Sequence, residues 1–324
     1  MPFIAVDLGG TKLAGAVFDK DGIIRRQRLS LGMAEGTRVG KMIISLISSL
    51  AGDEVPEGIG ISVPGIARHA TGTVWAPNIP GWDDYPIKDE IAGAFGNKVS
   101  IVIESDRTCS MMGEAWKGSA RGCRNAIFLA VGTGIGAGIM SDGRIIHGSD
   151  DIAGATGWMA LSAPYLEEYR QCGCFEYYAS GRGIAENAIR LLGRSDGHES
   201  FLSRIKPGEL VAQDVFRAYG QNDTVAVEVL HKAVQMWGMA AANFVSLFNP
   251  EKIIFGGGIF GPAVSFIDEI KQEAERWAQP VSMRKVKFEA SSLGSDAAIY
   301  GSAFLAMSAS GKLSSEPEYN EHTL

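Results

Sequence analysis

A glycine-rich turn close to residue 10 carries groups that could bind phosphate and a metal ion. The segment Asp7-Leu-Gly-Gly-Thr-Lys12 follows an apolar run and offers backbone N–H groups, a hydroxyl and a cation. Small residues such as Gly9 and Gly10 let N–H groups converge on phosphate oxygens, and Asp7 could hold a hydrated magnesium ion. The alternative is a plain β-hairpin, because Gly-Gly turns are common in hairpins.

A second turn, Gly132-Thr-Gly-Ile-Gly136, repeats the glycine-threonine pattern in the middle of the chain. Two such turns in related segments favour the interpretation that a nucleotide is held from both sides. The alternative, two unrelated hairpins, is less favoured. In this interpretation, Thr11, Lys12, Thr133 and Gly134 contact the phosphates together with the neighbouring glycines.

A third turn, Gly256-Gly-Gly-Ile-Phe-Gly261, has the form of the dinucleotide-binding fingerprint. A NAD site also needs an acidic residue about 20 positions later, where the sequence is Pro280-Val-Ser-Met. We therefore exclude a dehydrogenase and interpret Gly256, Gly257 and Gly258 as backbone that approaches a nucleotide. The sequence contains neither the P-loop pattern nor the loop set of the protein kinases.

Asp106 is the candidate general base. It follows the predicted strand Val99 to Ile103 and precedes a helix predicted from Thr108 to Lys117. Open α/β sheets place their chemistry at the ends of parallel strands. An aspartate there can accept a hydroxyl proton while the oxygen attacks a γ-phosphate. The alternative is structural, since Ser105 or Asp106 could simply cap the helix.

The elements that position these residues alternate between strands and helices, which indicates α/β layers. A predicted strand precedes each glycine-threonine turn, Phe3 to Leu8 and Ala126 to Val131, and a return strand follows it. Two similar β-meanders in one chain suggest a duplicated α/β unit. The predicted fold is therefore α/β with two related halves.

Composition and charge limit the class of protein. The chain has 324 residues, of which 41 are glycine, and a formal net charge of −7. This balance gives no basic footprint for nucleic acid. No secretory signal is predicted, because the N-terminus lacks a basic region followed by a long apolar region. No membrane span is predicted either, because uncharged stretches such as Ala233 to Pro250 are shorter than the roughly 20 apolar residues that a span needs. We expect a cytoplasmic protein with reduced cysteines.

Together the motifs resemble those of the ROK family (repressors, open reading frames, kinases), in the same order and over nearly the whole chain. The segments that carry the resemblance are Asp7-Leu-Gly-Gly-Thr-Lys12, Ser62-Val-Pro-Gly65, Pro77-Asn-Ile-Pro-Gly-Trp82, Glu104-Ser-Asp106, Gly132-Thr-Gly-Ile-Gly136, Ala179-Ser-Gly-Arg182, Gly256-Gly-Gly258 and Asp296-Ala-Ala-Ile-Tyr-Gly-Ser-Ala303. The Asn-Ile-Pro-Gly-Trp loop is most similar to the glucokinase branch.

The resemblance implies the actin-like ATPase (ribonuclease H-like) fold, with two duplicated α/β domains and an active site in the cleft between them. We expect a smaller domain over residues 1–121, joined by a C-terminal helix of about 297–311, a larger domain over 122–296 and a polar tail over 312–324. The implied activity is transfer of the γ-phosphate of ATP, with Mg²⁺, to a sugar, usually at the 6-hydroxyl of a hexose. A homodimer is the family expectation.

The resemblance also assigns roles to single residues. Asp106 matches the catalytic aspartate, and the three glycine-rich turns match the ATP-binding loops, with Gly132 to Gly136 as the second phosphate loop. Asp7 would hold Mg²⁺ through water. The sugar-binding residues implied are Gly65, Asn78, Ser105, Asp106, Trp158 and Glu176.

The sequence departs from the family pattern at the sugar and zinc sites. Ser105 replaces the usual asparagine, and the Gly-Glu-x-Gly-His segment is Gly154-Ala-Thr-Gly-Trp158, which lacks a carboxylate and a histidine. Of the cysteines that bind zinc in the family, this sequence has a match only at Cys174, and Cys172 is out of register. Structural zinc needs four ligands, and we therefore expect none here.

These departures leave the acceptor open. The pocket predicts a hexose-like sugar altered at its C1–C2–C3 side, such as an amino sugar, a glycoside or a carbocyclic sugar, on which Trp158 stacks. Alternatively, Trp158 only fills the space of the lost histidine and glucose still binds. Two other classes compete with a kinase. The first is a ROK repressor, which is disfavoured by the negative net charge and by a first strand that begins at Phe3. The second is a catalytically silent sugar-binding protein.

Overall fold

The computed structural model describes residues 2–19, 22–194 and 200–314. It divides into two compact units, of which the first contains residues 1–124, 138–153 and 292–324 and the second 125–137 and 154–291. The boundaries between the units lie at residues 124/125 and 291/292. The sequence predicted them at 121/122 and 296/297. Residues 138–153, which the prediction placed in the second domain, belong to the first unit. Residues 315–324 of the predicted polar tail lie outside the described residues.

Strands and helices alternate along most of the chain, as the sequence predicted. The strands are β1 (Phe3–Leu8), β2 (Lys12–Phe18), β3 (Ile23–Ser30), β4 (Gly58–Val63), β5 (Ile66–Arg68), β6 (Thr73–Trp75), β7 (Ser100–Ser105), β8 (Ala126–Val131), β9 (Ile135–Ser141), β10 (Arg144–Ile145), β11 (Lys252–Gly256) and β12 (Lys287–Ala290). The helices are α1 (Thr37–Ala51), α2 (Ile87–Phe95), α3 (Asp106–Lys117), α4 (Tyr169–Cys172), α5 (Cys174–Ala179), α6 (Gly181–Arg194), α7 (Ala212–Tyr219), α8 (Thr224–Phe248), α9 (Ile267–Glu275), α10 (Pro280–Met283) and α11 (Ala297–Ala309).

The first unit is built on a five-stranded sheet with the order β3-β2-β1-β4-β7. Strands β1, β4 and β7 are parallel, and β2 and β3 join as an antiparallel meander. Alternate residues of β1 face opposite sides of the sheet. Ile4 and Val6 belong to the core that includes α1, whereas Phe3 and Ala5 pack with residues of α11.

Helices α3 and α11 pack closely because glycines lie at their contact. A Cβ on Gly301 would lie 1.7 Å from the carbonyl oxygen of Cys109, and one on Gly113 would lie 2.1 Å from that of Ala297. A side chain at either position would push the helices apart. The last helix therefore belongs to the first unit.

The second sheet has the order β10-β9-β8-β11-β12. Its order corresponds to that of the first sheet, with an antiparallel meander followed by parallel strands, and β11 is parallel to both β8 and β12. The correspondence agrees with the duplicated α/β unit predicted from the two glycine-threonine turns.

The long helix α8 supplies much of the core of the second unit. The Asp223 side chain caps its start by accepting hydrogen bonds from the backbone N–H groups of Val225 and Ala226, each at 3.0 Å. Trp237 in this helix is fully buried, and its indole N–H donates to the carbonyl of Ala179 at 3.1 Å. No helix among the described residues has the length and apolarity to cross a membrane.

Candidate active site

Polar side chains lie in register at the carboxyl ends of the parallel strands of the first unit. Asp7 on β1 pairs with Ser62 on β4, and Ser62 pairs with Glu104 on β7. The Ser62 hydroxyl donates to Oδ1 of Asp7 at 2.8 Å. This edge is the usual place for chemistry in α/β sheets.

Asp7 carries an unfavourable negative charge. Burial raises its pKa to about 6, the charges of Asp106 and Asp296 raise it too, and the hydrogen bond from Ser62 partly opposes them. A carboxylate whose charge is disfavoured by two other carboxylates is stabilised by a cation. Asp7 is therefore the carboxylate whose charge a hydrated Mg²⁺ would stabilise.

Asp106 is the first residue of α3, and Ser105 is its cap. The Ser105 hydroxyl accepts from the Thr108 backbone N–H at 3.4 Å and donates to the Thr108 hydroxyl at 3.0 Å. Of the two residues that could have capped the helix, Ser105 is the one that does. The Asp106 side chain is exposed to solvent, and Oδ1 accepts from the Arg107 backbone N–H at 2.7 Å. Nearby protein reduces its hydration and raises the pKa of Asp106, against the opposing charge of Arg107.

The first glycine-rich loop joins β1 to β2 as a tight hairpin. The Gly9 backbone N–H donates to the Lys12 carbonyl at 2.9 Å, while Gly10, Thr11 and Lys12 are exposed. The hairpin and the phosphate loop are thus compatible interpretations. The turn leaves the Thr11 and Lys12 side chains free to meet a ligand from solvent.

The second and third loops meet in one pocket of the second unit. This pocket has a volume of about 710 Å³, and its lining includes Gly132, Thr133 and Gly258. At Gly257, φ is +88°, and a Cβ would lie 2.4 Å from the Val131 carbonyl oxygen, so only glycine fits there. The structure therefore brings together two loops that are more than a hundred residues apart.

The pocket also has walls that the sequence motifs did not indicate. They come from α6 and from the segment before α7, and the residues are Arg182, Ala185, Glu186, Ile189, Pro207, Leu210 and Val211. Only Arg182 lay in a recognised motif. An apolar wall with a few charged groups suits a flat heteroaromatic ring.

Glu176 on α5 lies under the second loop. Its Oε2 accepts from the Ile135 backbone N–H at 2.7 Å. A Cβ on Gly134 would lie 2.7 Å from the same oxygen. Burial raises the pKa of Glu176, and the hydrogen bond from Ile135 acts against this.

Gly65 and Asn78 lie on loops of the first unit. Gly65 has a φ of +148°, and a Cβ there would meet the Trp75 carbonyl oxygen at 2.1 Å. Asn78 is exposed in the turn that Trp82 fixes, since the Trp82 indole is buried, stacks on Tyr85 at 4.5 Å and donates to the Gly36 carbonyl at 3.0 Å.

Comparison with known proteins shows the family of this chain. The model of the ROK family matches residues 3–309. The chain belongs to the ROK family. It is 31% identical to a glucokinase of Halalkalibacterium halodurans over 318 residues, which cover 94% of each protein. It is also 28% identical to a xylose repressor of Caldicellulosiruptor bescii over 268 residues, which cover 81% of this chain and 64% of that protein.

A solved ROK structure shows the same fold. The ROK family glucokinase of Streptomyces griseus, determined with glucose and AMPPNP, aligns with a TM-score of 0.77 at 26% identity, over 94% of this chain and 99% of that one. The chain therefore has the actin-like ATPase fold of the ROK sugar kinases, as the sequence predicted.

The residues at the position of the ROK zinc site do not fit a metal ion. Cys174 is buried among tyrosines, with Tyr169 and Tyr177 in the same cluster, and the Cys172 thiol donates to the Gly173 carbonyl at 3.7 Å. The Tyr169 ring contacts both Tyr177 and Tyr178 edge-on. Aromatic packing occupies this part of the second unit.

Trp158 ends the segment that departs from the ROK pattern. It lies in a short 3-10 turn, Thr156–Trp158, and 59% of its surface is exposed. The Thr156 hydroxyl is buried and has no hydrogen-bond partner among the described residues. The exposed indole can contact a ligand through its apolar face.

Proposed function

We propose that the protein is a kinase that transfers the γ-phosphate of ATP to a primary hydroxyl of a hexose or hexose-like sugar. The observation that carries the proposal is the position of Asp106. It lies at the end of a parallel strand, in the first turn of α3, with its side chain open to solvent. A carboxylate in this state is suited to accept a proton from an alcohol.

The proposed transfer is a direct in-line displacement. The acceptor oxygen forms a bond to the γ-phosphorus, the bond from phosphorus to the bridging oxygen of ADP breaks, and the hydroxyl proton passes to Asp106. General-base assistance of this kind contributes about 10²–10⁴-fold in rate. Mg²⁺, when bound, neutralises phosphate charge, and Asp7 is the residue that would hold its water.

The pocket of the second unit is the proposed nucleotide site. Its glycine backbones at Gly132 and Gly258 leave room for phosphate and ribose, and its apolar wall suits the adenine ring. The S. griseus relative was solved with AMPPNP, an ATP analogue. Gly10, Thr11 and Lys12 of the first unit are the proposed second set of phosphate contacts.

ADP release in the presence of a sugar panel tests the transfer. We expect Asp106→Asn to lower kcat by about 10²–10⁴-fold without lowering the melting temperature. Asp89→Asn is the matched control, because Asp89 is exposed and lies in the first turn of α2 just as Asp106 lies in that of α3. Equal rates for Asp106→Asn and wild type would exclude Asp106 as the base.

The acceptor is proposed to differ from glucose at its C1–C2–C3 side. Ala155 offers no carboxylate, and Trp158 offers an exposed aromatic face. The panel should contain glucose, mannose, their amino and N-acetyl derivatives, β-glucosides and cyclitols. We expect Trp158→Ala to raise the KM for the preferred acceptor and to leave the KM for ATP unchanged. Glucose as clearly the best acceptor would contradict the altered pocket.

A non-catalytic role is the second candidate, and the similarity to the xylose repressor favours it. In that case a sugar would bind without turnover. Sugars that raise the melting temperature of wild type while no acceptor supports ADP release would support this candidate. Measurable transfer to any acceptor would exclude it.

A further inference from the structure

A cluster of two histidines and a glutamate lies outside the glycine-rich loops, within the first unit. Nε2 of His147 lies 2.8 Å from Oε2 of Glu104, and Nε2 of His69 lies 3.1 Å from the same oxygen. One ligand atom from each of the three residues lies within 4.8 Å of the others. Both imidazoles thus direct the same nitrogen at one carboxylate oxygen.

The orientation of His69 is fixed from behind. Its Nδ1 lies 2.6 Å from Oδ1 of Asp151, and Oδ2 of Asp151 accepts from the His69 backbone N–H at 3.0 Å. With Nδ1 donating to Asp151, Nε2 is the nitrogen that faces the cluster. A carboxylate behind a histidine is the usual outer partner of a metal-binding imidazole.

Arg107 holds the loops that carry these residues. Its guanidinium donates to the carbonyls of Gly65, Ala153 and Asp151, at 3.2, 3.2 and 3.4 Å. Glu104 is 7% exposed, whereas the His69 and His147 side chains are 44% and 36% exposed. The cluster is therefore anchored on the protein side and open on the solvent side.

We propose that His69, His147 and Glu104 bind a divalent transition-metal ion of the Zn²⁺ class, with a coordination position open to solvent. Two imidazole nitrogens and one carboxylate oxygen are a donor set that suits Zn²⁺ and its neighbours and does not suit Mg²⁺. Its three ligands are different residues from Asp7, Asp106 and Asp296, and they are also different from Cys172 and Cys174 of the second unit.

The distances between the ligand atoms show what must move to accept the ion. Ligand atoms around a tetrahedral Zn²⁺ with bonds of about 2.0–2.1 Å are about 3.3 Å apart. The two nitrogen–oxygen distances are 2.8 and 3.1 Å. These two distances must widen by a few tenths of an ångström, and the two Nε2 atoms, which lie within 4.8 Å of each other, must come to about 3.3 Å. Rotation of the two exposed rings can supply both changes.

Without a metal ion, a proton shared between the histidines and Glu104 holds the cluster together. Hydrogen bonding to Glu104 raises the pKa of His69 to about 9, against the effect of burial. Burial acts to raise the pKa of Glu104, but hydrogen bonds from His147 and His69 lower it to about 2. A proton between His69 and Glu104 occupies the metal position, so a plain ion-pair cluster is the competing interpretation.

The test measures metal binding to tag-free, chelator-dialysed protein and does not depend on kinase activity. We expect one equivalent of Zn²⁺ to bind and to raise the melting temperature, and Co²⁺ in its place to give the visible absorption of a four- or five-coordinate ion. His69→Gln and His147→Gln should abolish this binding. Asp151→Asn should weaken it by about 10–100-fold.

Two controls separate this site from others. His231→Gln removes an exposed histidine of the second unit, and Cys172→Ser removes a half-buried thiol, and neither should change the affinity. If a histidine variant fails to fold, X-ray absorption of the Zn²⁺-loaded wild type decides, with two imidazoles and no sulfur expected. Zn²⁺ binding that is equal in wild type and both histidine variants, sulfur ligation, or no binding would overturn the proposal.

Discussion

Oε2 of Glu176 accepts a hydrogen bond from the Ile135 backbone N–H at 2.7 Å, and this bond ties α5 to the second glycine-rich loop. The resemblance to the ROK family assigned Glu176 to the sugar. In this structure one of its oxygens fixes the backbone beside Gly134, which leaves the other oxygen for a ligand. Glu176 therefore connects the proposed nucleotide loop with the proposed sugar contact.

Replacing Glu176 separates these two roles. We expect Glu176→Ala to raise the KM for ATP and to lower the free energy of unfolding by about 1.5–3 kcal/mol, the range for a hydrogen bond to a charged group. Glu176→Gln keeps an acceptor for Ile135 and should retain both properties. Steady-state kinetics and urea denaturation check this, with exposed Glu167→Gln as the control. A higher KM for the acceptor in Glu176→Gln would show that the charge of the Glu176 carboxylate is used to bind the sugar.

The acid limb of activity should depend on Asp7. Its pKa is raised to about 6, so below that pH it takes up a proton and loses its hold on hydrated Mg²⁺, and kcat/KM for Mg-ATP falls by up to about tenfold per pH unit. Ser62→Ala removes a bond that lowers the pKa and should move the limb to higher pH. Asp296→Asn removes a like charge and should move it to lower pH. A pH–rate profile in which neither variant moves the limb would contradict this assignment.

Asp7→Asn should abolish turnover and yet stabilise the fold near pH 8. Because burial raises the pKa of Asp7 from 3.8 to about 6, the folded state binds this proton more tightly than the unfolded chain does. The charged carboxylate therefore costs stability above pH 6, by about 1–3 kcal/mol, and the cost disappears as the pH falls towards 3.8. Urea denaturation of both proteins at about pH 5 and 8 measures the difference. A variant less stable than wild type at both values would refute the expectation.

The contact between α3 and α11 predicts an intolerant glycine. Gly301→Ala places a Cβ 1.7 Å from the Cys109 carbonyl oxygen, and overpacking of this kind costs about 1–3 kcal/mol. Gly93→Ala is the matched control, because Gly93 lies in α2 with no atom within 4 Å of its added Cβ. We expect that control to gain about 0.5–1 kcal/mol. Equal stabilities in denaturant would show that the helices can move apart.

The sequence by itself determined the elements and the loops. Strand β1 has the predicted bounds, because a buried apolar run that ends at a glycine-rich turn is a local signal. The start of α3 was predicted two residues late, since nothing local distinguished Ser105 from Asp106 as the cap. The family and the position of Asp106 also followed from short motifs.

Only the tertiary structure decided which distant groups meet. His69 and His147 are 35 and 43 residues from Glu104 in sequence, and Ile135 is 41 residues from Glu176. The walls of the pocket around Gly132 and Gly258 come from further helices. Periodicity and turn chemistry describe neighbours along the chain, whereas these contacts depend on how strands pair and helices pack. The same packing raises the pKa of Asp7, because burial and the charges of Asp106 and Asp296 arise only once the chain is folded.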